Sequence, residues 1–229
     1  MRRSVRFLLI AAMLTASTGS RLSAQQSDGG SAATVVTYLE ALPSATPQAI
    51  ALLTAYAEAS RRAAGNLEFR ALRRIGRPNH FAILEAWTDA AALDRHARAA
   101  EAERFAASLA PLLYSPPDRR VHSDLLTGPH REIGPRAIYV LTHVDVIPPN
   151  VDPVVDSLRK LADASRAEAG NGRFDVLVTE RRNHMTVIEV WENADAQAAH
   201  SGEPHNRAFR ADLAPALGAL YDERLYRGL

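Results

Sequence analysis

Two short runs of the chain carry the side chains best suited to chemistry. Phe81-Ala82-Ile83-Leu84-Glu85-Ala86-Trp87 and Met185-Thr186-Val187-Ile188-Glu189-Val190-Trp191 each set a carboxylate two residues before an indole, among apolar neighbours. In an extended strand these two positions share one face. A carboxylate buried there is desolvated, which raises its pKa and suits it to take a proton near neutral pH. The same burial also suits a Glu that only accepts a structural hydrogen bond. His96 and His200 follow nine residues after each Trp. A helical spacing of three from Leu93 turns His96 toward the sheet. There an imidazole can shuttle a proton, ligate a haem, or sit satisfied in the core. Trp87 and Trp191 serve equally as pocket walls or as core anchors.

These pairs mark a chain written twice. Ala59-Ser60-Arg61 and Ala64-Gly65-Asn66 recur as Ala164-Ser165-Arg166 and Ala169-Gly170-Asn171. Asn79-His80 recurs as Asn183-His184, and Phe105 with Leu109-Ala110-Pro111 recurs as Phe209 with Leu213-Ala214-Pro215. The offset is 105 residues before Gly76 and 104 after it, a constant register that chance does not produce. The domains expected are residues 34–125 and 137–229, joined by a Gly- and Pro-punctuated linker at 126–136.

The elements that must hold these residues read in the same order in both copies. Thr34–Leu42 and Ile138–Ile147 are β-branched runs stopped by Pro43 and Pro148, hence strands. A helix follows in each, ended by Gly65-Asn66 or Gly170-Asn171. A hairpin comes next, Phe69–Ile75 with His80–Trp87 in copy one. A second helical stretch begins near Asp89 or Asn193, both good caps, and runs to Leu113 or Leu217. Arg119–Leu125 and Glu223–Tyr226 are last strands. This β-α-β-β-α-β order is ferredoxin-like. A sheet with helices on one face must have its other face covered, and the twin copy is the expected cover. The fold class is therefore α+β, two tandem ferredoxin-like domains forming an intramolecular pseudo-dimer of the dimeric α+β barrel type. Further homo-oligomerisation is left open.

The copies are not equivalent. Copy two reads His200-Ser201-Gly202-Glu203-Pro204-His205, a broken helix with a second imidazole, where copy one reads His96-Ala97-Arg98-Ala99-Ala100-Glu101, expected to be an uninterrupted helix. His143, opposite Tyr38 on the first strand, adds another imidazole to copy two. The expected site thus comprises His200, Glu189, His96 and Glu85 as proton-handling groups. Trp191, Trp87, His143, Tyr38 and His205 are expected to line it, with copy two as the working site. No HExxH or other metal-ligand spacing is present, so no metal is expected. Arg61 and Arg166 at helix ends, and Asn79 and Asn183 in turns, are expected to be structural.

Composition narrows the class of function. The 229 residues include 27 Lys+Arg, 26 Asp+Glu and no Cys. Without Cys there is no disulfide scaffold, no Cys-ligated metal and no thiol nucleophile. Arg2, Arg3, Arg6 and Arg21 fall in a segment without acids; the rest has 23 basic against 26 acidic residues, a balance of −3. Nucleic acid is a poor partner for such a surface. Met1 to Ala24, with its basic start, the apolar run Phe7–Leu14 and Leu22-Ser23-Ala24, reads as a signal peptide for export to a periplasm or beyond. Residues 25–33 read as a flexible lead-in. The run is too short for a permanent membrane span. There is no GxGxxG, Walker loop or GxSxG, so nucleotide, flavin and acyl-serine chemistry lack support.

Glu-x-Trp on the third strand, His nine residues on, then Phe and Leu-Ala-Pro, preceded by Ser-Arg-x-x-x-Gly-Asn, resembles the antibiotic biosynthesis monooxygenase family of small ferredoxin-like dimers. The resemblance covers nearly the full length of each copy. It implies a pocket between helices and sheet at Trp87/His96 and Trp191/His200. It also implies a monooxygenase that acts on a small phenol- or quinol-like aromatic molecule without a cofactor. The alternative is a non-catalytic pocket protein binding haem or another apolar molecule. The haem-degrading branch of the family places an Asn on the first strand, where this chain has Thr37 and Tyr38, or Thr142 and His143.

Overall fold

The structure, a computed structural model, describes residues 32–229. The expected signal peptide at 1–24 and most of the lead-in lie outside the described residues. Copy one runs β1 (Ala33–Glu40), α1 (Thr46–Ser60), β2 (Asn66–Arg74), β3 (His80–Trp87), α2 (Ala90–Ala97), α3 (Ala100–Leu109) and β4 (Asp118–Leu126). Copy two repeats this as β5 (Ile138–Asp145), α4 (Val151–Arg166), β6 (Asn171–Val178), β7 (His184–Trp191), α5 (Ala194–Gly202), α6 (Pro204–Leu213) and β8 (Asp222–Gly228).

Each copy is a ferredoxin-like unit, and the two share one closed barrel in the order β1-β3-β2-β8-β5-β7-β6-β4. Closure comes from two antiparallel seams, β2 with β8 through Leu72↔Gly228, and β4 with β6 through Ser123↔Val178. Among the described strands no edge is left unpaired, which removes the template that open sheets offer for aggregation. Alternation along the strands then sorts the core. Val36, Leu72, Leu84, Leu141, Leu177 and Ile188 pack inside the barrel. Val35, Leu39, Phe81, Ile83 and Trp87 face the copy-one helices, and Val144, Val176, Met185 and Val187 face those of copy two. Among the described residues no helix is long and apolar enough to cross a membrane.

Local chemistry explains the joints. Asp89 and Asn193 cap α2 and α5, accepting hydrogen bonds from Ala92 N at 2.7 Å and Ala196 N at 3.0 Å. Arg61 and Arg166 donate from Nε to the carbonyls of Phe69 and Phe174 at 3.0 and 3.1 Å, tying each helix end to the following strand. Asn79 and Asn183 donate to the Ala41 and Val146 carbonyls. Gly65 and Gly170 adopt φ of +85° and +82°, and their carbonyls accept from Thr88 N and Glu192 N. A Cβ on Gly65 would stand 2.7 Å from that of Ala92. Gly65→Ala is therefore expected to cost about 2–4 kcal/mol, the sum of left-handed strain and overpacking, measurable as a fall in urea midpoint.

One expectation is corrected. The second helical stretch is broken in copy one as well as in copy two, with Ala99 and Glu203 both extended at ψ 143° and 146°. Pro204 accounts for the break in copy two, because a residue before proline avoids helical ψ. Copy one has no proline there and breaks at the same place. Tertiary packing is the common cause, since α2 lies on β3 while α3 crosses to pack on α1.

Candidate functional site in copy one

The site grows from β3. Glu85 is the central residue of the three-strand stretch, opposite Val35 of β1 and Phe69 of β2. Glu85 Oε2 accepts a hydrogen bond of 2.8 Å from Trp87 Nε1, and Glu189 Oε2 accepts one of the same length from Trp191 Nε1. Each imidazole lies nearly flat on its indole, His96 at 4.4 Å from Trp87 and His200 at 4.5 Å from Trp191. The Glu–Trp–His grouping expected from the sequence is thus assembled in both copies.

The surroundings of the two groupings differ. Copy one encloses a cavity of about 430 Å³ between α1, α3 and the sheet, with Tyr56, Ile83, Glu85, His96, Phe105 and Arg119 among its walls. Ala102, Ala106 and Pro117 leave this space open. Their counterparts in copy two are Asn206, Arg210 and Tyr221. The Arg210 guanidinium lies 3.8 Å from the centre of the Tyr221 ring, reaches Glu223 at 2.6 Å and bonds to Asn206. Tyr221 in turn packs on the copy-two core. These larger, mutually bonded side chains stand at the positions that line the free volume in copy one. The cavity beside a Glu–Trp–His grouping thus lies in copy one, whereas the working site was expected in copy two.

Burial sets the protonation states around that cavity. Glu85 is 7% exposed, and loss of water pushes its carboxyl above the usual range, against the pull of the Trp87 N–H and of Arg119. Burial holds His96 below the usual imidazole value, against the pull of Glu101, and so favours its neutral form. Tyr56 Oη and His96 Nε2 share a hydrogen bond of 2.9 Å, and Ser60 Oγ lies 3.4 Å from the same nitrogen. Burial and the nearby Glu85 push the Tyr56 hydroxyl up to about 12. In copy two, burial pushes Glu189 up to about 8.

Two expected lining residues lie elsewhere. Tyr38 and His143 point into the barrel, on the opposite side of the sheet from Trp87 and Trp191, with ring centres 5.1 Å apart. The alternation that puts Thr37 and Thr142 on the helix side puts these two on the other. They belong to a polar cluster in the barrel. Arg120 reaches His143 Nδ1 at 3.0 Å and Asp118 at 2.7 Å, and His122 Nε2 is 2.9 Å from Thr186 Oγ1. A signal for this cluster stands in the sequence, where Asp118-x-Arg120 recurs as Asp222-x-Arg224. His205, at the α5–α6 break, does lie beside His200, with ring centres 5.8 Å apart, and bonds to Glu168. Sequence reasoning missed Tyr56 and Arg119. Leu53, Tyr56 and Ser60 do fall on one face of α1 at helical spacing, and Arg119 alternates with Arg120 on β4.

A family model described as "Antibiotic biosynthesis monooxygenase" matches residues 32–108 and again 137–212. Among solved structures, a protein of Fusobacterium nucleatum provisionally described as a monooxygenase superposes with a TM-score of 0.79 at 14% identity, covering 87% of this chain and 93% of that one. A protein of Lactobacillus acidophilus with the same provisional description has a TM-score of 0.72 at 14% identity, covering 86% and 94%. A protein described as anthrone oxidase-like has a TM-score of 0.67 at 16% identity, covering 86% and 91%. At these identities the likeness is one of fold. No curated protein matches the sequence.

Proposed function

Because the chain belongs to the antibiotic biosynthesis monooxygenase family, with two copies of its domain in one barrel, we propose that copy one is the working site of a cofactor-independent oxygenase. Its substrate is a small phenol- or quinol-like aromatic molecule. The observation that carries this reading is the 430 Å³ cavity, apolar over most of its wall, into which Glu85, His96 and Tyr56 bring polar groups and at whose mouth Arg119 stands.

The chemistry follows from what oxygen requires. Triplet dioxygen reacts slowly with a neutral phenol, whereas a phenolate can give it one electron. Glu85 takes the phenolic proton; its raised pKa narrows the gap to a phenol near 10 and so lowers the cost of transfer. The apolar wall excludes water while the radical pair recombines at a ring carbon. Loss of water, with the proton returned by Glu85, then gives the quinone. The balance closes without a separate reductant: one hydroquinone and one dioxygen give one hydroxyquinone and one water. Four electrons leave the substrate, one oxygen atom stays on the ring and the other departs in water. His96, held by Tyr56 and stacked on Trp87, orients this wall. Arg119 favours an anionic ring substituent or the phenolate itself.

The Met1 to Ala24 pattern further supports an exported enzyme. N-terminal sequencing of the protein from a periplasmic or secreted fraction is expected to begin near Gln25.

The deciding measurement is oxygen uptake by the purified protein with a panel of hydroquinones, beside the triple variant Ala106→Arg, Pro117→Tyr, Arg119→Glu. That variant writes the copy-two filling into copy one. Uptake above autoxidation is expected for the unaltered protein, with one heavy oxygen atom from labelled dioxygen in the product, and the folded triple variant is expected to lose it. Equal uptake by both proteins, or none by either, overturns the reading. In the latter case haem binding to the same cavity becomes the measurement to make.

A further inference from the structure

A second cluster lies in copy two, beside the Trp191–His200 stack and outside the cavity of copy one. Glu168, in the turn after α4, sets Oε1 2.7 Å from His200 Nδ1 and 2.8 Å from His205 Nε2. One donor atom from each residue lies within 4.8 Å of those of the others. We propose that Glu168, His200 and His205 form a binding site for a divalent transition-metal ion of the zinc type, with one coordination position open to solvent.

Four observations carry this. The donor set is two imidazoles and one carboxylate, which suits Zn²⁺, Co²⁺ or Ni²⁺ and is poor for the oxygen-preferring Ca²⁺ and Mg²⁺. The site has an anchored wall and an open side, the His200 side chain being 2% exposed against 25% for His205. The cluster is not something the repeat needs in order to fold, because copy one has Ala63 and Glu101 at the positions of Glu168 and His205. Finally, an acceptor stands behind the ligand. In the structure His200 Nε2 accepts a hydrogen bond of 2.8 Å from the Asn206 amide nitrogen. With Nδ1 bound to an ion the proton moves to Nε2, which faces Glu189 Oε2 at 3.6 Å. The Asn206 amide must then turn aside for Nε2 to donate to that carboxylate, the kind of partner that orients metal-bound histidines.

Glu168 Oε1 now bonds to both imidazoles, so an ion must move each of them away from it. Metal–ligand distances of about 2.0–2.2 Å in a tetrahedron set donors about 3.3 Å apart. The required opening is about 0.6 Å, and the partly exposed His205 and Glu168 can supply it. No such site is legible as a motif, because Glu168 lies 32 residues before His200 in the chain.

The test is titration of the purified full-length protein with Zn²⁺ by calorimetry and with Co²⁺ by visible absorption. One equivalent is expected to bind, and Co²⁺ is expected to develop the intense d–d bands of a four-coordinate N/O site. His205→Ala and Glu168→Gln are each expected to weaken binding at least about 100-fold, while His184→Ala, whose imidazole pairs with Asp145, leaves it unchanged. Glu168→Gln retains a hydrogen-bonding side chain, so loss of affinity with an unaltered melting curve reports on the ion and not on folding. Absence of stoichiometric binding, or equal affinity in His205→Ala, overturns the proposal. The outcome is independent of oxygen uptake in copy one.

Discussion

Glu85→Gln slows oxygen consumption on a hydroquinone substrate by about 10²–10⁴-fold, the usual worth of a positioned proton acceptor, while Glu189→Gln has much the smaller effect. The two carboxylates have the same strand position, the same 2.8 Å bond from an indole and the same direction of pKa shift. What separates them is access. Glu85 faces an open cavity, whereas Arg210 and Tyr221 stand where a substrate would have to reach Glu189. Folding stability should be held or slightly raised in both variants, because a neutral amide replaces a buried carboxyl group and still accepts from the indole N–H. Steady-state rates and urea midpoints on the same preparations separate the two roles. Equal rate losses in the two variants, or a rate loss that tracks a fall in midpoint, would assign Glu85 to the fold and not to the reaction.

Acid weakens this barrel through its interior histidines. His122 and His143 are 3% and 6% exposed, and burial with the neighbouring Arg120 holds both imidazoles down at about 4. An unfolded chain binds these protons near pH 6.5. Stability from the two groups is therefore complete above about pH 6.5 and is lost as pH falls toward about 4. Each accounts for on the order of 3 kcal/mol across that window, with less than additive effect because they share Arg120 and Thr186. Asp118 and Asp222 pair with Arg120 and Arg224 at this end of the barrel, with Tyr38 and Tyr226 beside them. Glu85 and Glu189, whose pKa values are raised, act in the opposite sense and gain stability as pH falls. Comparison with the double variant His122→Gln, His143→Gln removes that background. Between about pH 7 and 4.5 the unaltered protein is expected to lose several kcal/mol more in urea unfolding than the variant. Parallel losses would show that these imidazoles are protonated in the fold.

Much of this architecture was legible in the residues themselves. The constant offset between copies, the β-branched runs ended by proline and the turn glycines point to paired ferredoxin-like units, and alternation along β3 correctly joins Glu85 to Trp87. Helical spacing turns His96 onto the indole as expected. What was not legible depends on groups distant in the chain. Whether a pocket is open is decided by Ala106 or Arg210 on one helix and by Pro117 or Tyr221 beyond it, and no local period reports on that meeting. A second histidine makes copy two look richer in chemistry, while the bulk that fills it comes from residues that carry no local mark of burial. The break at Ala99 has no local signal at all, since it is imposed by the two surfaces on which α2 and α3 rest. Tyr38 and His143 depart from expectation for a simpler reason. Alternation gives two faces, and only the closed barrel tells which face meets the helices.

The seam between β2 and β8 joins residues 72–74 to 226–228. A contact of that sequence separation can form only after β8 has left the ribosome, long after β2. Until β8 arrives, copy one keeps a bare strand edge at β2 and copy two lacks the neighbour of β5. The barrel therefore closes late and slowly, in a single cooperative event that neither half can complete alone. Loss of a few residues around Tyr226 would strand the nascent protein with exposed edges, so the closing strand governs yield in the cell as much as it governs stability in the tube.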